Sequence, residues 1–218
     1  MIIDQTLEYY QKRAGEYDHI YLRDDPGRQA ELARLYDLSR QLLAGRDVLD
    51  VACGTGFWTR VVSQTAKAVV GIDVNPATLA EAKRKSYACP VSFVWADIRH
   101  LPIKAEGKNG LLATYIASHV RREELRHLGQ VLADVLTPGS PAFLCDNNLF
   151  SEMIPELIWD DRHQNTYKKR RLENGEEYII LKNYFEADEL EAIFSGWGTI
   201  ERIVYDTYYW AVALRMRG

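Results

Sequence analysis

The sequence predicts an α/β fold, an open, doubly wound sheet of mainly parallel strands, on three observations. From residue 46 onward, short β-branched apolar runs alternate with helical stretches. The first of these runs ends in a small-residue turn, Ala52-Cys53-Gly54-Thr55-Gly56, that opens a helix. Residues 149–183 break the alternation with Asn174-Gly175 between two extended runs, 166–172 and 177–181, a strong short-range hairpin signal. At 218 residues and 47% apolar content the chain is long enough to bury one full core. It reads as a single domain, 1–218, with an N-terminal segment at 1–27 and the hairpin insertion at 149–183.

Each element has its own signal. Residues 4–17 open with an acid and continue with helix formers, and Asp24-Asp25-Pro26-Gly27 is a turn. Residues 28–43 place Leu32, Leu35, Leu38, Leu42 and Leu43 at helical intervals before Gly45. Val48, Leu49 and Val51 form the first strand, and Phe57, Trp58, Val61 and Val62 recur at helical spacing after the turn. Residues 68–72 and 91–96 read as the second and third strands, 110–117 as the fourth, 121–136 as a helix and 142–145 as the fifth strand. A helix at 187–194 follows the insertion, and the runs 199–205 and 207–214, joined at Asp206, predict a terminal antiparallel pair.

Charge and cysteines narrow the function classes. A net charge of −4 argues against a nucleic-acid backbone as partner, since phosphate contacts need a basic face. The basic run Lys168-Lys169-Arg170-Arg171 is expected to be a solvated strand face or an interaction surface. Cys53, Cys89 and Cys145 lack metal-ligand spacing and read as free thiols in a reducing compartment. No apolar run approaches a membrane span, and residues 1–10 do not follow a signal-peptide plan, so the expectation is cytoplasmic.

The glycine turn carries the chemistry. Gly54 and Gly56 let a ligand approach the backbone, while Asp50, just before them, repels a pyrophosphate but suits an ammonium. A dinucleotide fingerprint wants Gly or Ala where the chain has Thr59. Asp73, followed by Val74, ends the second strand about 20 residues on, where an acid accepts from a ribose diol. The plainer reading of Asp73 is a helix cap.

The stretch D-x-A-C-G-T-G at 50–56 resembles motif I of the class I S-adenosylmethionine-dependent methyltransferases. The resemblance covers most of the chain, with 149–183 the least shared part. It implies a Rossmann-like sheet of seven strands with an antiparallel last strand, and S-adenosyl-L-methionine as cofactor over Ala52, Gly54 and Gly56. The A-D-x-x-x-L-P pattern from Ala96 resembles the family's third motif, giving Asp97 the adenine amine and Ile98 the ring face. The YY-x-x-R-A-x-x-YD pattern from Tyr9 resembles the N-terminal lid of small-molecule members. It implies Tyr10 or Tyr17 near the sulfonium and Arg13 near the methionine carboxylate; an amphipathic helix with its aromatics on the core is the alternative. The end of the fourth strand faces the methyl group in the family, making Tyr115, Ser118 and His119 candidates. His119 is the candidate base for a hydroxyl acceptor, or else a cap beneath the lid.

Asp146 and Asn147 follow the fifth strand as magnesium-dependent members of the fold have them, but Ser118 stands where those carry a second carboxylate. A hard cation then loses an anionic ligand, so no metal is expected and both residues are read as substrate contacts. Trp159, His163 and Tyr184 join them as candidates in an insertion expected to cap the substrate at the carboxyl edge of the sheet. The resulting expectation is methyl transfer to N or O of a small-molecule acceptor, aromatic or amine-bearing, by direct in-line displacement. The partner is that acceptor, with no nucleic acid or membrane, and the protein is a monomer or homodimer. A nicotinamide-dependent oxidoreductase and a non-catalytic nucleoside-binding regulator are the other readings.

Overall fold

A computed structural model of the chain describes residues 2–101, 107–150, 154, 156–160 and 164–218. Its central sheet has seven strands in the order β3-β2-β1-β4-β5-β10-β9. These are β1 (Asp47–Val51), β2 (Ala68–Asp73), β3 (Val91–Trp95), β4 (Gly110–Thr114), β5 (Pro141–Asn147), β9 (Gly198–Tyr205) and β10 (Tyr209–Met216). The first five run parallel, and β10 is inserted antiparallel to both β5 and β9.

Strand alternation distributes the core to two faces. Leu49, Val51, Leu111 and Ala113 pack against α5 (Leu125–Val135) and α6 (Ala187–Phe194) through Leu128, Leu132, Leu190 and Phe194. Val48, Leu112 and Phe143 point the other way, onto Leu32 and Leu35 of α2 (Pro26–Leu42) and Trp58 and Val62 of α3 (Phe57–Ser63). Each fully buried Leu or Val contributes about 1.5–3 kcal/mol, so both helix layers are tightly held. The doubly wound, three-layer arrangement with its antiparallel last strand is therefore as the sequence indicates.

Two boundaries differ. The fourth strand stops at Thr114, because Tyr115 adopts a left-handed φ of 56° that no strand continues through. The expected helix 121–136 begins with a 3₁₀ turn, Arg122–Glu124, before α5.

The insertion forms a separate antiparallel sheet in the order β6-β7-β8. Strands β7 (Asn165–Arg171) and β8 (Glu177–Leu181) are the expected hairpin, turning at Gly175 with φ 91°. Strand β6 (Leu157–Asp160) adds a third strand that the sequence did not signal. The free edge of β8 is taken by the chain's start. Gln5 N–H donates to Ile179 O at 2.8 Å, and Ile179 N–H returns a bond to Gln5 Oε1 at 3.0 Å. The Thr6 hydroxyl accepts from Leu181 N–H at 3.0 Å. The N-terminal segment continues as α1 (Thr6–Arg13) and a 3₁₀ stretch, Ala14–Leu22. Its Asp18 carboxylate reaches the glycine turn, bonded to the Thr55 hydroxyl and the Lys85 ammonium.

Candidate active site

A cavity of about 560 Å³ lies at the carboxyl ends of β1, β2 and β4, under the N-terminal segment. Its wall includes Ala52, Gly54, Asp73, Val74, Asp97, Ile98, Tyr115 and His119, with Tyr10 and Tyr17 from the segment above. Ten of the candidate residues named from the sequence thus line one cavity, although they span more than a hundred residues of chain.

Two backbone features build the floor. Ala52 and Tyr115, ending neighbouring strands, both hold left-handed φ values of 54° and 56° without being glycine. Such residues cost of order 1–3 kcal/mol each and gather at ligand sites. Gly54 also has a positive φ, and a Cβ there would find no atom within 4 Å, so the space over the turn is open. Gly56 differs. A Cβ at Gly56 would fall 2.4 Å from the Tyr87 hydroxyl, and the residue is not on the cavity wall. Its glycine serves helix packing.

Asp73 accepts Gly54 N–H and Asn75 N–H, both at 2.8 Å, one on each carboxylate oxygen. Each oxygen keeps a further lone pair for a ligand hydroxyl. Burial pushes its pKa up against the two backbone bonds. Asp97 is held by Arg99 through both carboxylate oxygens, which lowers its pKa. Among the described residues acids dominate the wall: Asp4, Asp73, Asp97 and Glu124 face one guanidinium, Arg99, itself paired with Asp97. That balance favours a cationic ligand over a phosphate.

Asp50 is fully buried beneath the turn and is not on the wall. Thr59 Oγ1 donates to its Oδ2 at 2.5 Å, while its Oδ1 has no partner among the described residues. Burial raises its pKa to about 7, with the Asp73 charge adding to the effect. Asp50 therefore acts on the cavity through the field and through the turn it supports.

His119 is held on both ring nitrogens. Nδ1 lies 2.7 Å from Leu181 O, which only accepts, so Nδ1 carries the proton. Nε2 then accepts from the Tyr10 hydroxyl at 2.8 Å. Burial, helped by the Lys182 ammonium, lowers the His119 pKa to about 4. The ring is neutral at pH 7 and its lone pair is engaged, so it links the N-terminal segment to β8 rather than offering a free base. Burial raises Tyr17 to about 12, leaving its hydroxyl neutral.

A pH prediction follows from His119. An unfolded histidine takes up a proton near 6.5, whereas the folded one resists until about 4. The unfolded state binds more protons in that window, so stability falls as pH drops from 6.5 toward 4. Thermal melts of His119→Gln should lose less stability than wild type over that range; identical pH slopes would contradict the assignment.

The remaining candidates lie off the wall. Arg13 donates to the Tyr9 hydroxyl at 2.7 Å and sits 5.5 Å over the Tyr17 ring. Trp159 is exposed on β6, Tyr184 is buried, and His163 falls outside the described residues. Ser118, Asp146 and Asn147, expected as substrate contacts, are instead gathered by a residue the sequence did not flag. Lys182 Nζ lies 2.7 Å from Ser118 Oγ, 2.9 Å from Asp146 Oδ1 and 3.3 Å from Asn147 Oδ1. Lys182 and Asp146 are both buried, so this is an interior ion pair joining the small sheet to the end of β5.

Residues 48–139 match the family model described as a methyltransferase domain. The solved DhpI-SAM-HEP complex superposes with a TM-score of 0.74 at 24% identity, covering 95% of this chain and 94% of that one. The matched domain and the fold support a class I S-adenosylmethionine-dependent methyltransferase. Among curated proteins, the chain is 31% identical over 157 residues to the O-methyltransferase cnsE of Penicillium expansum, covering 66% of this chain and 56% of that protein. It is 30% identical over 122 residues to the tRNA U34 carboxymethyltransferase of Azotobacter vinelandii, covering 52% of this chain and 38% of that protein. The chain thus spans less than two thirds of the length of either relative. The turn at Ala52–Gly56 is the stretch whose sequence resembles the family's motif I, and Asp73 ends the second strand.

Proposed function

We propose that the protein is a methyltransferase that binds S-adenosyl-L-methionine in this cavity and alkylates N or O of a small, aromatic or amine-bearing acceptor by in-line displacement, leaving S-adenosyl-L-homocysteine. The observation that carries the reading is the acidic wall. It brings Asp73, Asp97 and an open Gly54 together in one cavity of about 560 Å³. In this reading Asp97 and Ile98 hold the adenine, Asp73 and Val74 the ribose, and Ala52 and Gly54 the amino-acid part. Bound there, the cofactor supplies a methyl group made electrophilic by its sulfonium.

The chain's own residues then align the acceptor and exclude water, which contributes roughly 7–11 kcal/mol to such reactions. The N-terminal segment acts as the lid, latched to the glycine turn by Asp18, and the small sheet acts as the cap. Tyr10, Tyr17 and Tyr115 line the end of the cavity where the acceptor enters. His119 fixes the Tyr10 hydroxyl and so serves as a positioning residue; an acceptor proton leaves to water or with an amine's own equilibrium.

Several observations favour this over the other classes. Thr59 is buried against Asp50, which leaves no third glycine for a dinucleotide turn. The basic run is not a continuous face for RNA, because Lys168 is buried on Glu156 and Lys169 pairs with Glu177. The three free cysteines fit a reducing cytoplasm, and among the described residues no helix is long and apolar enough to cross a membrane. Incubation with S-adenosylmethionine and a panel of amines, phenols and quinols tests the proposal. Acceptor-dependent release of S-adenosylhomocysteine is expected; cofactor binding with no release from any of them would favour a non-catalytic regulator.

A further inference from the structure

One carboxylate on the cavity wall has no hydrogen-bond or ion-pair partner among the described residues. Glu124 stands just before α5, in the N-cap position, and is a wall residue. A polar side chain there ordinarily accepts a backbone N–H of the first turn, but Glu124 makes no such bond. Its neighbour Glu123 behaves differently, accepting from Asn165 Nδ2 at 3.0 Å. Glu124 is half-buried, and Leu128, four residues on along the same side of the helix, is a buried wall residue.

The carboxylate stands at the end of the cavity assigned above to adenine. Asp97, Ile98 and Arg99 line the cavity from the segment after β3, and Glu124 and Leu128 line it from α5. Ile98, proposed for the ring face, packs on the core cluster that contains Leu125 and Leu128. The Arg99 guanidinium is raised above its usual range first by its bonds to Asp97, and the Glu124 charge adds to the effect. Two acids therefore flank one guanidinium at this end.

Asp97 alone has little capacity left for a ligand. Its Oδ1 accepts Arg99 N–H at 2.9 Å and Nε–H at 3.0 Å. Its Oδ2 accepts from Arg99 Nη2 at 2.7 Å, with Nε also 3.1 Å away. A carboxylate oxygen offers two lone pairs, so Oδ1 is filled and Oδ2 keeps at most one. The exocyclic amine of adenine carries two N–H donors that point apart. One of them exhausts Asp97, and the other needs a second acceptor or loses a hydrogen bond on leaving water.

We propose that Glu124 is that second acceptor, so that the protein reads the 6-amino group of its cofactor with two acids, Asp97 and Glu124, from two different elements. The inference rests on the methyltransferase reading and deepens it, by assigning a cofactor-specificity residue on α5. Leu128 covers the ring from the same helix. A purine with a carbonyl in place of the amine meets two carboxylates with no hydrogen to offer either, and is rejected.

The test titrates the full chain calorimetrically with S-adenosylhomocysteine and with S-inosylhomocysteine, which differs in carrying that carbonyl. Wild type should bind the adenosyl compound more tightly by roughly 10- to 100-fold. Glu124→Gln should lower that ratio about fivefold or more, because its amide can donate to the carbonyl. Glu124→Ala should also lower it, chiefly by weakening the adenosyl compound. A loss of helix stability alone would weaken both ligands together and leave the ratio unchanged, and a thermal melt confirms that each variant is folded. Should Glu124→Ala not fold, Glu124→Gln carries the test. The inference is overturned if wild type binds the two compounds alike, or if the folded variants keep the wild-type ratio. Failure of wild type to bind S-adenosylhomocysteine would instead sink the methyltransferase reading itself.

Discussion

Asp73→Asn is expected to weaken S-adenosylhomocysteine binding by roughly 10- to 100-fold, the equivalent of about 1.5–3 kcal/mol for hydrogen bonds to a charged group. The carboxylate already accepts Gly54 N–H and Asn75 N–H and, in the proposed complex, accepts the ribose hydroxyls as well. An amide offers one acceptor oxygen. Its NH₂ must then face one of the two backbone donors, which displaces either the glycine turn or the start of α4 (Pro76–Lys83). The loss of negative charge also removes part of the field that favours a cationic ligand. Calorimetric titration of the variant reads the effect, with a thermal melt to confirm that it is folded. An unchanged affinity would remove Asp73 from the binding site.

Lys182→Met is expected to be the most destabilising of the substitutions considered. Asp146 is fully buried and Lys182 nearly so, and the ammonium holds Asp146 while also donating to Ser118. Removing it strands a carboxylate in the interior, which costs about 3–5 kcal/mol. For a protein of this size that corresponds to a fall in Tm of roughly 6–20 °C. The ion pair lowers Asp146 below its ordinary range in spite of burial, so the stranded carboxyl should take up a proton more readily in the variant. Replacing both partners, in Asp146→Leu with Lys182→Met, should recover much of the loss, because an apolar pair leaves no charge unpaired. A double variant as unstable as the single one would show that the pair is not the cause.

These two residues also mark where the sequence was legible. Asp73 was readable because its environment is local: an apolar strand ends at an acid, and Gly54, which it bonds, follows the adjacent strand of the alternating pattern. The glycine turn, the position of Asp97 after the third strand and the hairpin at Asn174-Gly175 were readable for the same reason. Lys182 gave no such signal. It lies 36 residues from Asp146 and 64 from Ser118, and their meeting depends on how the insertion docks. Without it, Ser118, Asp146 and Asn147 looked like free polar groups at strand ends.

His119 shows a second kind of limit. Its place at the end of the fourth strand was apparent, but its chemistry is set by Leu181 and Tyr10, which arrive from β8 and α1. Arg170 was read within a uniform basic run. Only strand register separates it and Lys168 on the inner face from Lys169 and Arg171, both exposed.

The central claim is that the acidic edge of the sheet holds a cationic amino-acid nucleoside. A crystal structure of the protein soaked with S-adenosylhomocysteine tests it most directly. The account predicts the ribose on Asp73, the adenine between Asp97 and Ile98, and the sulfur facing Tyr17 and Tyr115. A ligand bound with its sugar away from Asp73, or a cavity left empty at saturating ligand, would contradict it.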